Sequence, residues 1–130
     1  MIDREVLPIL RSSGEATIAI AGAVTVYSHS FPMDMAEYFA LHYKAASPGV
    51  IDLLIQLEEG PALPTTEGSS DTSFVIPESF PDIEAALAAT TAHIQKISPI
   101  TMPFARLKIT GGATNDAGTT LTAYIGKQQL

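Results

Sequence analysis

Phe104-Ala-Arg-Leu-Lys-Ile-Thr-Gly-Gly-Ala-Thr-Asn-Asp-Ala-Gly-Thr-Thr-Leu-Thr-Ala-Tyr-Ile125 holds two runs that alternate apolar and polar residues around a small, polar, glycine-rich centre. In the first run Phe104, Ala105, Leu107 and Ile109 carry the apolar content, with Arg106, Lys108 and Thr110 between them. In the second, Leu121, Ala123 and Ile125 alternate with Thr120, Thr122 and Tyr124. A period of two marks strands with one face buried and one wet. Gly111, Gly112, Asn115, Asp116 and Gly118 between them tolerate positive φ or cap turns. The stretch reads as a hairpin closing a β-sheet domain, which names an architecture and no chemistry.

The rest of the chain extends the same pattern backwards. Residues 1–14 form a short N-terminal arm in which Val6, Leu7, Ile9 and Leu10 are apolar and Pro8 interrupts any helix. Two roles fit it: a strand-like lead-in packed on its own domain, or an arm docked on a neighbouring subunit with those four side chains as its interface. The sandwich domain then occupies 15–130. Ala16–Ile20 and Ala23–Tyr27 flank Ala21-Gly22, which suits either a tight turn or one long strand bulged at the glycine. Ala36–Lys44 alternates, with Tyr38, Ala40, His42 and Lys44 on one side and Phe39, Leu41 and Tyr43 on the other. Val50–Leu57 is the strongest apolar run and reads as a central strand, ended by Glu58-Glu59-Gly60-Pro61. Residues 60–72 make a long polar loop with no periodicity, expected to be exposed and less ordered than the strands. Ser73–Ile76 reads as a short strand. Pro81–Ala89, with proline at a first helical position and acids in the first turn, reads as one short helix. Thr91–Ile97 alternates again. The sum is an all-β chain: a single antiparallel β-sandwich, jelly-roll-like, of about eight strands with one short helix.

Composition sets limits on function. At 130 residues a single domain buries roughly two-thirds of its unfolded surface without help from disulfides or zinc, and the chain has no cysteine for either. Met1-Ile-Asp-Arg-Glu-Val places acids where a signal peptide carries bases, so no export by signal peptide is expected. No apolar run approaches the roughly 20 residues of a membrane span. A net charge of −7, with seven basic residues scattered along the chain, argues against direct nucleic-acid binding. Only 16% of residues are charged while 46% are hydrophobic; an average domain carries about 25% charged residues. So sparse a charge implies that part of the surface is hidden against neighbours.

The chemical constellations are bland. His29, His42 and His93 are far apart in sequence, lack metal-ligand spacing, and read as structural or surface residues. No nucleophile elbow is present, and Gly68-Ser-Ser-Asp71 lies in the polar loop. Glu58 and Glu59 are adjacent in a strand and point to opposite faces, so they do not flank one scissile bond. Gly111-Gly112 is not a phosphate loop. Glu67, Asp71, Asn115 and Asp116 offer calcium-type oxygens without an EF-hand spacing. Arg106 and Lys108 share a face, read as solvated and crossed by strand-partner acids, or as a contact to an acidic neighbour. Tyr27, Tyr38, Tyr43 and Tyr124 all fall in strands, and with no tryptophan there is no obvious sugar-stacking platform. The expectation is no catalytic residue, no cofactor and no metal.

Met102-Pro-Phe-Ala-Arg-Leu-Lys-Ile-Thr-Gly-Gly112 followed by Thr119-Thr-Leu-Thr-Ala-Tyr-Ile125 resembles the ending of small β-sandwich structural proteins of tailed-bacteriophage virions. Ala92-His-Ile-Gln-Lys-Ile-Ser-Pro99 and Leu53-Ile-Gln-Leu-Glu-Glu59 follow the same loose pattern. The resemblance covers the last third of the chain and the remainder in outline, and sugar-binding sandwich modules end in similar hairpins. It implies a non-enzymatic virion subunit, of the capsid decoration or head-associated type, with itself and a major capsid or other virion protein as partners. The alternative is a carbohydrate-binding or adhesion β-sandwich module.

Overall fold

The computed structural model describes residues 3–9, 17–33, 38–78, 82–97 and 102–129. Ten strands run through them: β1 (Asp3–Pro8), β2 (Thr17–Ala19), β3 (Thr25–Tyr27), β4 (Phe31–Pro32), β5 (Tyr38–Ala46), β6 (Leu53–Gly60), β7 (Glu84–Leu87), β8 (His93–Ile97), β9 (Phe104–Gly111) and β10 (Thr120–Gln129). They form two antiparallel sheets packed as a sandwich. In the first sheet the order is β1-β10-β5-β8, with β2 beside β1 on the same flank of β10. In the second it is β3-β9-β6-β7, with β4 beside β3 on the same flank of β9. Each sheet therefore has four strand positions, in the order of a jelly roll, and the all-β sandwich read from the sequence is the fold.

Inward positions follow the period of two. Leu41, Tyr43 and Ala45 of β5 and Leu121, Ala123 and Ile125 of β10 meet Leu53, Ile55 and Leu57 of β6 and Ala105, Leu107 and Ile109 of β9, all of them buried. Each such side chain contributes about 1.5–3 kcal/mol by leaving water, and this shared layer is the main favourable term of the fold.

Three readings of local pattern need correction. The 104–125 stretch is not a hairpin: β9 and β10 belong to opposite sheets, and residues 112–119 arch across the core between them. Both strands turn their apolar faces inward, so they face each other across the roughly 10 Å between sheets instead of sharing an edge. Of the two options for Ala21-Gly22 the tight turn is the one observed, and it joins strands of opposite sheets. A turn at Gly22 and Ala23 carries the chain from the first sheet to the second, with Ala23 at φ 56°. The expected helix over 81–89 is the strand β7, with Pro81 itself outside the described residues; no helix occurs among those residues. Ile83 and Leu87, the two buried side chains there, are four apart, a spacing that suits one face of a helix or of a strand equally. The open edge of β6 supplies the hydrogen bonds that decide for a strand. Similarly, the strand expected over 73–76 is a single bridge between Val75 and Glu59.

The arch is pinned by one side chain. Asn115 Nδ2 donates to Ile20 O (2.9 Å) while its Oδ1 accepts from Asp52 N (3.0 Å), which ties β2's exit, β6's entry and the arch together. Gly111 and Gly112 allow the close approach: a Cβ at Gly111 would sit 2.2 Å from Ala21 O, and one at Gly112 1.9 Å from Asp52 Oδ2. Asn115→Ala strands the buried Asp52 amide and Ile20 carbonyl, and is expected to cost about 2 kcal/mol, within the about 1–3 kcal/mol range for orphaned polar groups. Urea unfolding measures this, and a change within error of zero would contradict the pinning role.

Candidate functional site

The two outer faces of the sandwich differ. On the second sheet, Arg106 of β9 lies directly opposite Glu58 of β6 and points outward, yet it is fully buried. The reason is the 61–75 segment, which folds back over this face. Arg106 Nε donates to Glu58 Oε1 (3.0 Å) and Nη1 to Ser69 O (2.7 Å). The guanidinium plane is held between two rings, 4.3 Å from the centre of Tyr27 and 4.6 Å from that of Phe74. Its Nη2 is buried with no hydrogen-bond partner among the described residues. Cation–π contacts with both rings, about 2 kcal/mol each when desolvated, offset much of the cost of that lone N–H. The sequence reading of Arg106 as solvated is thus overturned, while its pairing with a cross-strand acid holds.

Further anchors fix the loop. Glu67 takes hydrogen bonds from Ser30 N (2.7 Å) and from Ser30 Oγ, and lies 3.6 Å from His29 Nδ1. Asp71 accepts from Ser73 Oγ (2.6 Å), Ser73 N (2.9 Å) and Thr65 N (3.0 Å). The Ser73 side chain first, then the Ser73 and Thr65 amides, lower its carboxyl from 3.8 to about 2. Most side chains of 60–72 are exposed, as expected, but the backbone is clasped to the sheet. The other oxygens considered for calcium also bond to backbone amides in the arch: Asp116 Oδ1 accepts from Gly118 N (2.7 Å) and Asn115 Oδ1 from Asp52 N. Among the described residues no group of three His, Cys, Asp or Glu stands together. A shallow pocket of about 180 Å³ beside the loop is lined by Glu59, Pro61, Ser73, Val75 and Met102.

Tyr43 forms a second polar cluster, fully buried at the open side of the sandwich. Its hydroxyl donates to Glu84 Oε1 (2.5 Å) on the opposite sheet and accepts from Gln95 Nε2 (2.8 Å), and its ring stacks on His93 at 5.3 Å. Burial first, then the Glu84 carboxylate, push the phenol well above its usual range. This is an inter-sheet staple.

Among the described residues no segment covers the first sheet. Cross-strand register lines up Pro8, Tyr124, His42 and Ile94 in one row, with Val6, Gly126, Ala40 and Lys96 in the next. Thr17, Thr122 and Lys44 follow beyond. Val6 is 68% and Ile94 71% exposed, and the rings of His42 and Tyr124 meet edge to face at 6.2 Å. Among the described side chains, Lys44 and Lys96 are the charges on this face and none is a carboxylate.

Of the four arm residues singled out in the sequence, Val6 lies on this bare face. Leu7 packs partly against the core and Ile9 is buried in it, while Leu10 lies outside the described residues. The arm is an edge strand of its own sheet. His42 sits on the outer face and His93 on the inner face of the same sheet, and His29 lies beside the loop clasp. Sequence reasoning missed Ile94, Pro8 and Tyr124 as neighbours; their alternation was visible, their pairing was not.

Comparison with protein-family models gives no match, and neither does comparison with curated proteins.

Two outcomes test the clasp. Arg106→Ala leaves Glu58 buried without its partner and is expected to cost about 3–5 kcal/mol, with protease cleavage appearing within 61–75. Arg106→Lys, lacking the planar fork, recovers less than half of that loss; urea unfolding and limited proteolysis read both. Because the folded pKa of Asp71 is depressed, its ionised form supports the loop turn above pH 3.8 and that support is lost as pH falls through about 2. An NMR titration of the Asp71 carboxyl should show its midpoint near 2, moving upward in Ser73→Ala.

Proposed function

We propose that the protein is a non-enzymatic structural subunit that works by protein–protein association in a symmetric assembly, of the virion type its closing segment resembles. Its place is then in a virion, as a capsid decoration or other head-associated protein, with copies of itself and a major capsid or other virion protein as partners. The observation that supports this best is the bare outer face of the first sheet. Side chains from four strand positions line up there in register, with the Tyr124 and His42 rings on the two inner strands, exposed Val6 and Ile94 on the two outer ones, and no carboxylate among those described. Large contiguous patches of this kind are uncommon on proteins that work alone. The small share of charged residues, 16% of the chain, points the same way.

The chain's polar clusters support the same reading. Arg106–Glu58, Asn115 and Tyr43–Glu84 each close on protein groups, and each serves to hold loop or sheets in place. The carbohydrate-binding or adhesion alternative draws on one feature, the Tyr124–His42 ring pair on the bare face, which offers a sugar a stacking surface.

Light scattering across a concentration series separates the two. The expected native mass is a multiple of the single chain at high concentration. A chain that stays monomeric throughout and is retained by a glycan surface would replace the assembly reading with the binding module.

A further inference from the structure

We propose that the bare face of the first sheet docks head to tail on the acidic, loop-covered side of a second copy. The inference rests on the assembly reading above and adds the surface, its occupant and the geometry.

Charge selects the occupant. The face carries Lys44 and Lys96 with no described carboxylate, on a chain with fourteen acidic and seven basic residues. Of the other five bases, Arg106 and Lys127 are buried and Lys108 is half-buried on the outer side of β9. The described residues 61–78 and 82–83, which run from the loop over the second sheet to the start of β7, hold Glu67, Asp71, Glu78 and Asp82 and no Lys or Arg. The two sides of the sandwich are therefore complementary in sign. Two bare faces meeting across a two-fold axis would bring Lys44 and Lys96 against their own copies, and like charges across an interface cost several kcal/mol. Head-to-tail contact instead sets lysines against carboxylates. It also brings exposed Ile94 and Val6 towards the exposed Leu63, Val75 and Met102 of the loop side.

Area sets the strength. Four strand positions about 4.8 Å apart, over a length of about 25 Å, give roughly 500 Å² per partner, or roughly 1,000 Å² in total. That is the lower bound of a specific interface. A single contact is thus weak and concentration-dependent, and a heterologous contact of this kind repeats into a ring or an array.

Sedimentation velocity of the full chain tests this at about 0.1 M and about 1 M salt, between which the screening length falls from about 10 Å to about 3 Å. Wild type should associate with rising concentration, and less at high salt. The pair Lys44→Glu/Lys96→Glu, and separately Ile94→Asp, should weaken association at least about tenfold with unchanged circular dichroism and melting temperature. Glu78→Lys/Asp82→Lys should do the same from the other side. Mixed in equal amounts, the two charge-reversed chains should recover association, since the lysine face of one meets the acidic side of the other and the two reversed surfaces are again opposite in sign. Association of Lys44→Glu/Lys96→Glu equal to wild type, or no recovery of association on mixing, would overturn this docking while leaving the assembly reading intact. A wild type that never associates would overturn both.

Discussion

The two-sidedness of this molecule depends on a guanidinium buried on what would otherwise be a wet sheet face. Arg106 is held by Glu58 in its own sheet and by Ser69 of the loop, between the rings of Tyr27 and Phe74. An ion pair so placed carries a desolvation cost that its Coulomb attraction only partly offsets. What it provides is location. It brings a polar loop, with little apolar area of its own, down onto the second sheet and keeps it there, so that only the first sheet presents bare strands to its surroundings. Remove the clasp and the two faces become alike.

Similar polar fastenings occur elsewhere on the sandwich. Tyr43 reaches across the core to Glu84, and Gln95 completes that cluster through Ile83 O at 3.0 Å. Lys127 is buried and donates from Nζ to Pro32 O at 2.8 Å, which joins β10 to β4 on the other sheet. Asn115 joins the arch to two strands. An apolar layer alone tolerates sliding of one sheet over the other, because burial is non-directional. Hydrogen bonds from buried polar groups are directional and costly to leave unmade, so they set the relative position of the sheets. Rigidity of this kind suits a surface that acts by shape and register.

The proposed role follows from this asymmetry more than from any single residue. A face whose described charges are both lysines, on a chain with twice as many acidic as basic residues, makes an object with two unlike ends. Unlike ends favour repeated, directional association, and weak individual contacts suffice when many are made together.

Much of the architecture was legible in the sequence because alternation is a local property: Leu41, Tyr43, Leu107, Ile109, Leu121 and Ile125 declare the inward face from their own neighbours. The limits lie where a decision needs a partner distant in the chain. A period of two in Phe104–Gly111 and Thr120–Gln129 says that each strand has a buried face. Whether the two share an edge or face each other across the core is set by β5 and β6, which take the edges. Ile83 and Leu87 fit either helix or strand until the open edge of β6 is in place. The bare face was half visible, in the alternation of His42, Lys44 and Tyr124, but only the pairing of β1, β10, β5 and β8 sets Val6, Pro8 and Ile94 beside them. Arg106 is a surface residue by its local pattern and a buried one by its tertiary setting, because a loop more than thirty residues earlier folds back over it. Local chemistry determined which residues face inward; the long-range pairing of backbone hydrogen bonds decided which surfaces were left for function.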